Sequence, residues 1–255
     1  AVKTYDYFME KTRLFKKTSD IINSTVSINK DEYHYLKNVI RAKENIEITI
    51  ILNNNSKLIA SLKKINKQTI EIYVIKSEIL KKQTTFTLVQ CLPKQDKFSD
   101  TIRMCTEIGV NRFIPIISKR SVPKKVDIKK HDRWKSILIS SAIQSEQNHY
   151  PILDNTYTFN AFIENYTKIL SSKSIKICPW EEEERLTLKN YLKTTTKLSS
   201  QSEIVIFIGP EGGLCKSEVS LLEKIGFNTI TLGKTILRTQ HAGFYTMSQI
   251  KYQLE

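Results

Sequence analysis

From residue 86 onward, short apolar segments alternate with longer helical stretches, and this restricts the fold more than any other feature of the chain. Strand-like runs occur at Phe86–Leu92, Arg112–Ile117, Ile175–Cys178, Ile204–Ile208 and Asn228–Leu232. Helical patterns fall between and after them, at about 96–108, 129–146, 182–194, 217–225 and 241–253. Strands of a parallel sheet are covered on both faces, so they read as apolar runs, and each needs a crossover segment before the next. An α/β domain over 86–255 is therefore expected, with helices on both faces of a parallel sheet. Residues 25–80 read differently. Asn45 to Ile50 and Thr69 to Val74 alternate polar with apolar residues, Lys57 to Ile65 supplies another strand, and Asn53-Asn54-Asn55-Ser56 marks a turn. Lys30 to Ala42 has helical spacing at Tyr33, Leu36, Val39 and Ile40. A mainly antiparallel β module with one helix is expected over residues 1–85.

Glycine locates the demanding backbone. Only 7 of the 255 residues are Gly, none before Gly109, and six of them fall from Gly209 onward. A chain of this length ordinarily carries roughly 18. Glycine relieves the steric penalty on positive φ and lets backbone approach a ligand. Its concentration late in the chain is the first pointer to a site.

The net charge of +14 suggests a polyanionic partner, although an excess of Lys, Ile and Asn alone would also produce it. The excess is steepest from Lys119 to Lys135, where eight basic residues meet two acidic ones. Lys119, Arg120, Lys124, Lys125, Lys129 and Lys130 are thus candidates for phosphate-backbone contacts, against the alternative of a solvated surface. Glu181 to Glu184 read as the start of a helix, where carboxylates complement the dipole. Cys91, Cys105, Cys178 and Cys215 are widely spaced, and the four histidines make no ligand pair with them, so neither a metal site nor a disulfide framework is expected. No apolar run is long enough to span a bilayer, and the first 17 residues lack the apolar core of a secretory signal. A cytoplasmic location is expected.

Two strand–loop–helix junctions carry the strongest local signal. Ile204 to Ile208 runs into Gly209-Pro210-Glu211-Gly212-Gly213 and then a helix. Thr231-Leu232 runs into Gly233-Lys234-Thr235-Ile236-Leu237-Arg238, again before a helix. Ligands of parallel sheets bind where such loops leave the carboxyl ends of strands. A Walker A loop would need Gly at position 228, which is Asn228, and no G-x-G-x-x-G occurs. A ligand held mainly by backbone groups is expected. An adenosine-containing cofactor would suit the loops, without being selected by them. Gly109 and Gly226 read as helix caps, and Gly243 as a point of close packing.

FIGPEGGL (207–214) and LGKTILRTQHA (232–242) together resemble the signature of the RsmE-type 16S rRNA uridine-N3 methyltransferases of the SPOUT superfamily. Leu92 to Lys97, Thr106 to Val110, Lys119-Arg120-Ser121, Arg133-Trp134 and Ala142 to Pro151 are similar to that family's linking motifs, in order. Glu32 to Glu47 resembles the start of its N-terminal barrel. The resemblance implies a PUA-like RNA-binding β-barrel over 1–85, with Arg41 among its RNA contacts. It also implies a SPOUT α/β domain with a trefoil knot over 86–255, and a homodimer. It implies S-adenosyl-L-methionine held by Pro179, Ile208, Gly209, Pro210, Gly212, Gly213, Leu232, Gly233, Ile236 and Leu237. Small-subunit ribosomal RNA or the ribosomal subunit is the implied partner, with no metal and no membrane.

Where the family usually has Pro-Arg after Leu-Gly, this chain has Lys234-Thr235, and where it has Glu-Thr after Leu-Arg-Thr, this chain has Gln240-His241. In the stretch from Ala142, a usual Glu-Gln and a following Arg are replaced by Ile143-Gln144 and Gln147. Backbone-held cofactor binding tolerates such changes, whereas a side-chain base at position 240 does not. The implied reaction is attack of uridine N3 on the methyl group of the sulfonium. A cation near O2 or O4 favours the N3 anion, and Arg238 is the candidate for it, against a structural ion pair. Glu211 contacts the base or a partner subunit, or else braces its loop. Two competing classes remain: a non-catalytic RNA-binding or ribosome-assembly protein, and a SPOUT methyltransferase acting on another RNA position.

Overall fold

The computed structural model describes residues 12–67, 69–195 and 201–254, so most of the first 17 residues, expected to hold no secretory signal, lies outside the described residues. The chain forms two compact units. One takes the residues up to Lys81 together with Ala142–Tyr150, and the other takes Lys82–Ser141 and Pro151–Glu255.

The first unit is a six-stranded sheet of β1 (Arg13–Lys16), β2 (Ile21–Ile22), β3 (Thr25–Val26), β4 (Glu47–Leu52), β5 (Ser56–Ile65) and β6 (Ile70–Ile79), in the order β1-β4-β5-β6-β3-β2. Only the β1–β4 pair is parallel. The period-two pattern of β4 buries Ile48 and Ile50 completely while Glu47 faces out. Asn55 takes φ +64 in the turn expected there, a conformation Asn tolerates better than other non-glycine residues. The helix expected from Lys30 to Ala42 is shorter. α1 (Lys30–His34) starts on a capping box, in which the Glu32 N–H donates to Asn29 Oδ1 at 2.9 Å and the Asn29 N–H to Glu32 Oε2 at 2.9 Å. It then widens into a π-type turn over Tyr35–Val39. The wider turn shifts the helical face, so Leu36 is buried and Val39 is exposed. Residues Ala142–Tyr150 are fastened to this unit by buried Arg13. Its guanidinium donates to the Glu146 carbonyl, the Gln147 carbonyl at 2.6 Å and Asn148 Oδ1 at 3.0 Å.

The second unit is built on a parallel sheet of β7 (Thr85–Cys91), β8 (Arg112–Ile117), β9 (Ile152–Leu153), β10 (Tyr157–Thr158), β11 (Ile175–Pro179), β12 (Glu203–Ile208) and β13 (Asn228–Ile230). Their order is β10-β8-β7-β12-β11-β13, with β9 also on β8. Alternate residues serve two cores. Leu88, Ile204, Ile206 and Ile208 face one, under α2 (Lys97–Glu107), α3 (Ile128–Gln144) and the C-terminal α7 (Thr239–Leu254). Val89, Val205 and Phe207 face the other, under α4 (Phe159–Ile169) and α6 (Lys216–Lys224). Two-sided burial explains why these strands read as unbroken apolar runs. α5 (Leu188–Thr194) begins later than the 182 expected for it. Glu181–Glu184 form no helical turn, because the Glu183 carboxylate accepts from the backbone N–H groups of Arg185 at 2.7 Å and Leu186 at 3.0 Å, and Thr187 provides the helix cap. Those two bonds hold the Glu183 carboxyl below its ordinary range. α4 had no counterpart among the expected helices, although Phe159, Phe162, Ile163 and Tyr166 carry helical spacing behind a Thr158 cap.

The chain steps outward from β7 through β8 to β10, restarts at β11, and lays β12 between β7 and β11. Every strand of the sheet is parallel, so the loops after β7, β11, β12 and β13 emerge together at the carboxyl edge. A reversal of strand order of this kind opens a crevice at that edge.

Candidate active site

The crevice is a cleft of about 1120 Å³, lined by Pro179, Trp180, Ile208–Leu214 and Thr231–Gln240. It brings together all ten candidate cofactor residues (Pro179, Ile208, Gly209, Pro210, Gly212, Gly213, Leu232, Gly233, Ile236 and Leu237) and both candidate catalytic residues, Glu211 and Arg238.

The glycine loop is fixed by neighbours from three other segments. The Gly213 N–H closes a turn on the Pro210 carbonyl at 2.9 Å, and Gly213 itself sits at φ +69. A Cβ there would fall 1.7 Å from Glu181 Oε1, so the absence of a side chain admits both the turn and the carboxylate beside it. The Lys94 N–H donates to Glu211 Oε1 at 2.9 Å, with Lys97 Nζ at 3.8 Å. Glu211 therefore braces its loop against the end of β7. Arg120 Nη1 donates to the Gly212 carbonyl at 2.9 Å. Glu218, 4% exposed, accepts from the Lys119 N–H and the Cys215 N–H at 2.9 and 3.0 Å, tying the basic loop to the glycine loop. Behind the cleft, buried Gln90 donates to Thr239 Oγ1 at 2.9 Å, and Thr239 Oγ1 donates to the Gly209 carbonyl. Gln90 and Glu218 escaped the sequence reading. A Gln between Val89 and Cys91, near the end of a strand read as buried, was the signal for the first.

Arg238 is exposed, and its guanidinium makes no ion pair or hydrogen bond among the described residues. The structural ion pair weighed for it is absent there. Its backbone carbonyl accepts from the N–H groups of His241 and Ala242 and so opens α7. The lining carries the acidic Glu181, Glu183, Glu184 and Glu211 together with the basic Lys97, Lys234 and Arg238.

The other candidates scatter. Lys124 Nζ reaches the Lys119 carbonyl at 3.3 Å, and Lys130 Nζ reaches the Gln95 carbonyl at 3.3 Å and lies 5.5 Å from the Trp134 ring centre. Lys125 and Lys129 are exposed with no partner among the described residues. Arg133 pairs with Asp96 at 2.7 Å. Arg41 lies in the first unit, exposed and at φ +51. Among the described residues no group of His, Cys, Asp or Glu could hold a metal ion, and no helix is long and apolar enough to cross a membrane.

A family model described as an RNA methyltransferase domain matches residues 80–251, which contain every loop of the cleft. A ribosomal RNA small subunit methyltransferase E from Synechocystis is 30% identical over 99% of this chain and 81% of its own length. The chain belongs to the ribosomal RNA small subunit methyltransferase E family. The Bacillus subtilis member is 29% identical over 98% of this chain and 96% of its own. In structure, the Neisseria gonorrhoeae member of the family, solved bound to S-adenosyl methionine, superposes with a TM-score of 0.77 at 24% identity, over 95% of this chain and 98% of that one. A crystal structure described only as a hypothetical protein gives 0.76 at 28% identity, over 96% and 99%. The family's fold thus extends over nearly the whole described chain.

Proposed function

We propose that the chain methylates N3 of a uridine in small-subunit (16S) ribosomal RNA with S-adenosyl-L-methionine as methyl donor. The observation that carries this reading is the convergence of both glycine-bearing loops on one cleft, in a chain of this family. The cleft fits the cofactor in volume. Beyond its own chain neighbours, no atom of the described residues lies within 4 Å of where a Cβ on Gly233 would stand, which leaves that backbone open to a ligand. The Trp180 indole N–H, buried at the cleft wall, has no partner among the described residues. Three carboxylates, those of Glu181, Glu183 and Glu184, suit a ligand bearing a sulfonium and an ammonium.

In this reading the backbone of Gly209–Gly213 and Leu232–Leu237 holds the cofactor, with Pro179 at its side. Bound there, S-adenosylmethionine supplies a methyl group that leaves as its carbon–sulfur bond breaks and the electron pair stays on sulfur. Arg238, whose guanidinium has no partner among the described residues, draws negative charge onto a uracil oxygen, and Glu211 keeps the loop in place. Lys119, Arg120, Lys124, Lys125, Lys129 and Lys130 grip phosphates, and Arg41 adds a contact from the β module, read as PUA-like. A trefoil knot in the α/β unit and a homodimer belong to the same reading. The target base must leave any stack to enter the cleft.

Labelled S-adenosylmethionine and unmodified small ribosomal subunits, followed by nucleoside mass spectrometry, test it. N3-methyluridine is the expected product. Another methylated nucleoside, or none, overturns the assignment.

A further inference from the structure

The first turn of α7 contains a polar group without a partner among the described residues. Gln240 is 7% exposed; its carbonyl oxygen Oε1 is fully buried without a hydrogen-bond partner, and its amide nitrogen Nε2 donates to no group among the described residues. Its neighbour Thr239 is satisfied by Gln90 and the Gly209 carbonyl. A buried amide without a partner carries a desolvation cost that a bound ligand would remove. Gln240 lines the cleft beside Arg238, where α7 begins its 16 residues. Of the backbone N–H groups in that first turn, those of His241 and Ala242 bond to the Arg238 carbonyl. Those of Thr239 and Gln240 have no acceptor among the described residues, and the positive end of the helix dipole lies there.

We propose that the Gln240 carboxamide and the N-terminal turn of α7 form an oxyanion site for a ring carbonyl of the target base. The proposal rests on the uridine-N3 reading. Uracil N3 lies between two carbonyl groups. When the N3–H bond breaks, its proton passes to water and the negative charge spreads over N3, O2 and O4. A donor held against one of those oxygens stabilises the anion, and N3 becomes the nucleophile. The donor must be Nε2, since Oε1 would repel an anionic oxygen, and a half-turn about the terminal bond exchanges the two ends where needed. A neutral amide donates to the anion without repelling it and takes no proton, so Gln240 acts as a stabiliser and not as a base. Arg238, one residue before the turn, adds charge from the exposed side. Together they replace the water that would otherwise solvate the anion.

Gln240→Met keeps length and burial while removing both donor and acceptor. Single-turnover methylation, with RNA and S-adenosylmethionine saturating, is followed from about pH 6 to about pH 9.5, and cofactor affinity is measured by calorimetry. The expected result is a rate at neutral pH at least about tenfold lower, with the rise in rate displaced upward by about one pH unit. Cofactor affinity stays within about twofold. An unchanged pH profile overturns the site. A parallel loss of cofactor affinity assigns the amide to the cofactor and also overturns it. Should Gln240→Met not fold, Gln240→Asn, which draws the amide back by one methylene, is read on the same two measurements. Wild-type protein that yields no N3-methyluridine fails the underlying reading first, before any variant is compared.

Discussion

Gly213 shows how narrowly one residue can be specified. Its φ of +69 costs an L-residue about 1–2 kcal/mol, and the atom a Cβ would strike, Glu181 Oε1, is the mobile end of a side chain. Gly213→Ala is therefore tolerated by the fold at about that cost, while Gly213→Trp fills the cleft. Calorimetry should find S-adenosylmethionine binding lost in Gly213→Trp, with RNA affinity largely retained. Undiminished cofactor binding would remove the glycine loop from the site. Glycine scarcity made this residue visible in the sequence, whereas its partner was hidden. Glu181 to Glu184 read as a helix start, because local pattern reports dipole complementarity but not that Glu183 would cap Arg185 and Leu186 instead.

At the scale of elements, α7 and the centre of the sheet are held close by Gly243. A Cβ there would approach Leu88 Cδ1 at 3.0 Å and Cδ2 at 3.2 Å, with Ile208 Cγ1 at 3.7 Å. Gly243 packs against its own sheet. Gly243→Ala forces Leu88 aside, but it gains nearly 1 kcal/mol in helix propensity, so the two effects nearly cancel. Gly243→Val adds bulk without that compensation. It is expected to destabilise by about 1–3 kcal/mol, seen as a lower urea midpoint with an unchanged slope. A midpoint equal to wild type would show that the helix stands farther from β7. The strands and most helices of this unit were legible because two-sided burial writes apolar runs into the sequence. The pairing of β12 with β7 was not, since it joins segments more than a hundred residues apart and leaves no local trace.

For the whole molecule, positive charge is spread along the chain, with sixteen basic and nine acidic residues up to residue 85 and 24 and 17 beyond it. Within the Lys119–Lys135 run Arg133 is withdrawn from a polyanion by its pair with Asp96, whereas Lys130, lying against Trp134, keeps its charge unpaired by a carboxylate among the described residues. Replacing Lys124, Lys125, Lys129 and Lys130 with Ala should weaken RNA binding and make the negative slope of log K against log salt shallower by up to about 3. A slope equal to wild type would make the run a solvated surface. The sequence by itself determined the α/β class of the second unit, the β module of the first and the two glycine loops, because burial, turn chemistry and backbone freedom are local properties. Only the tertiary structure decided that those loops share one cleft, that Glu218 and Gln90 hold them there, and that Gln240 is buried with its carbonyl oxygen unpartnered among the described residues. Each of these follows from strand order, which brings distant residues to one sheet edge and has no signature in any single segment.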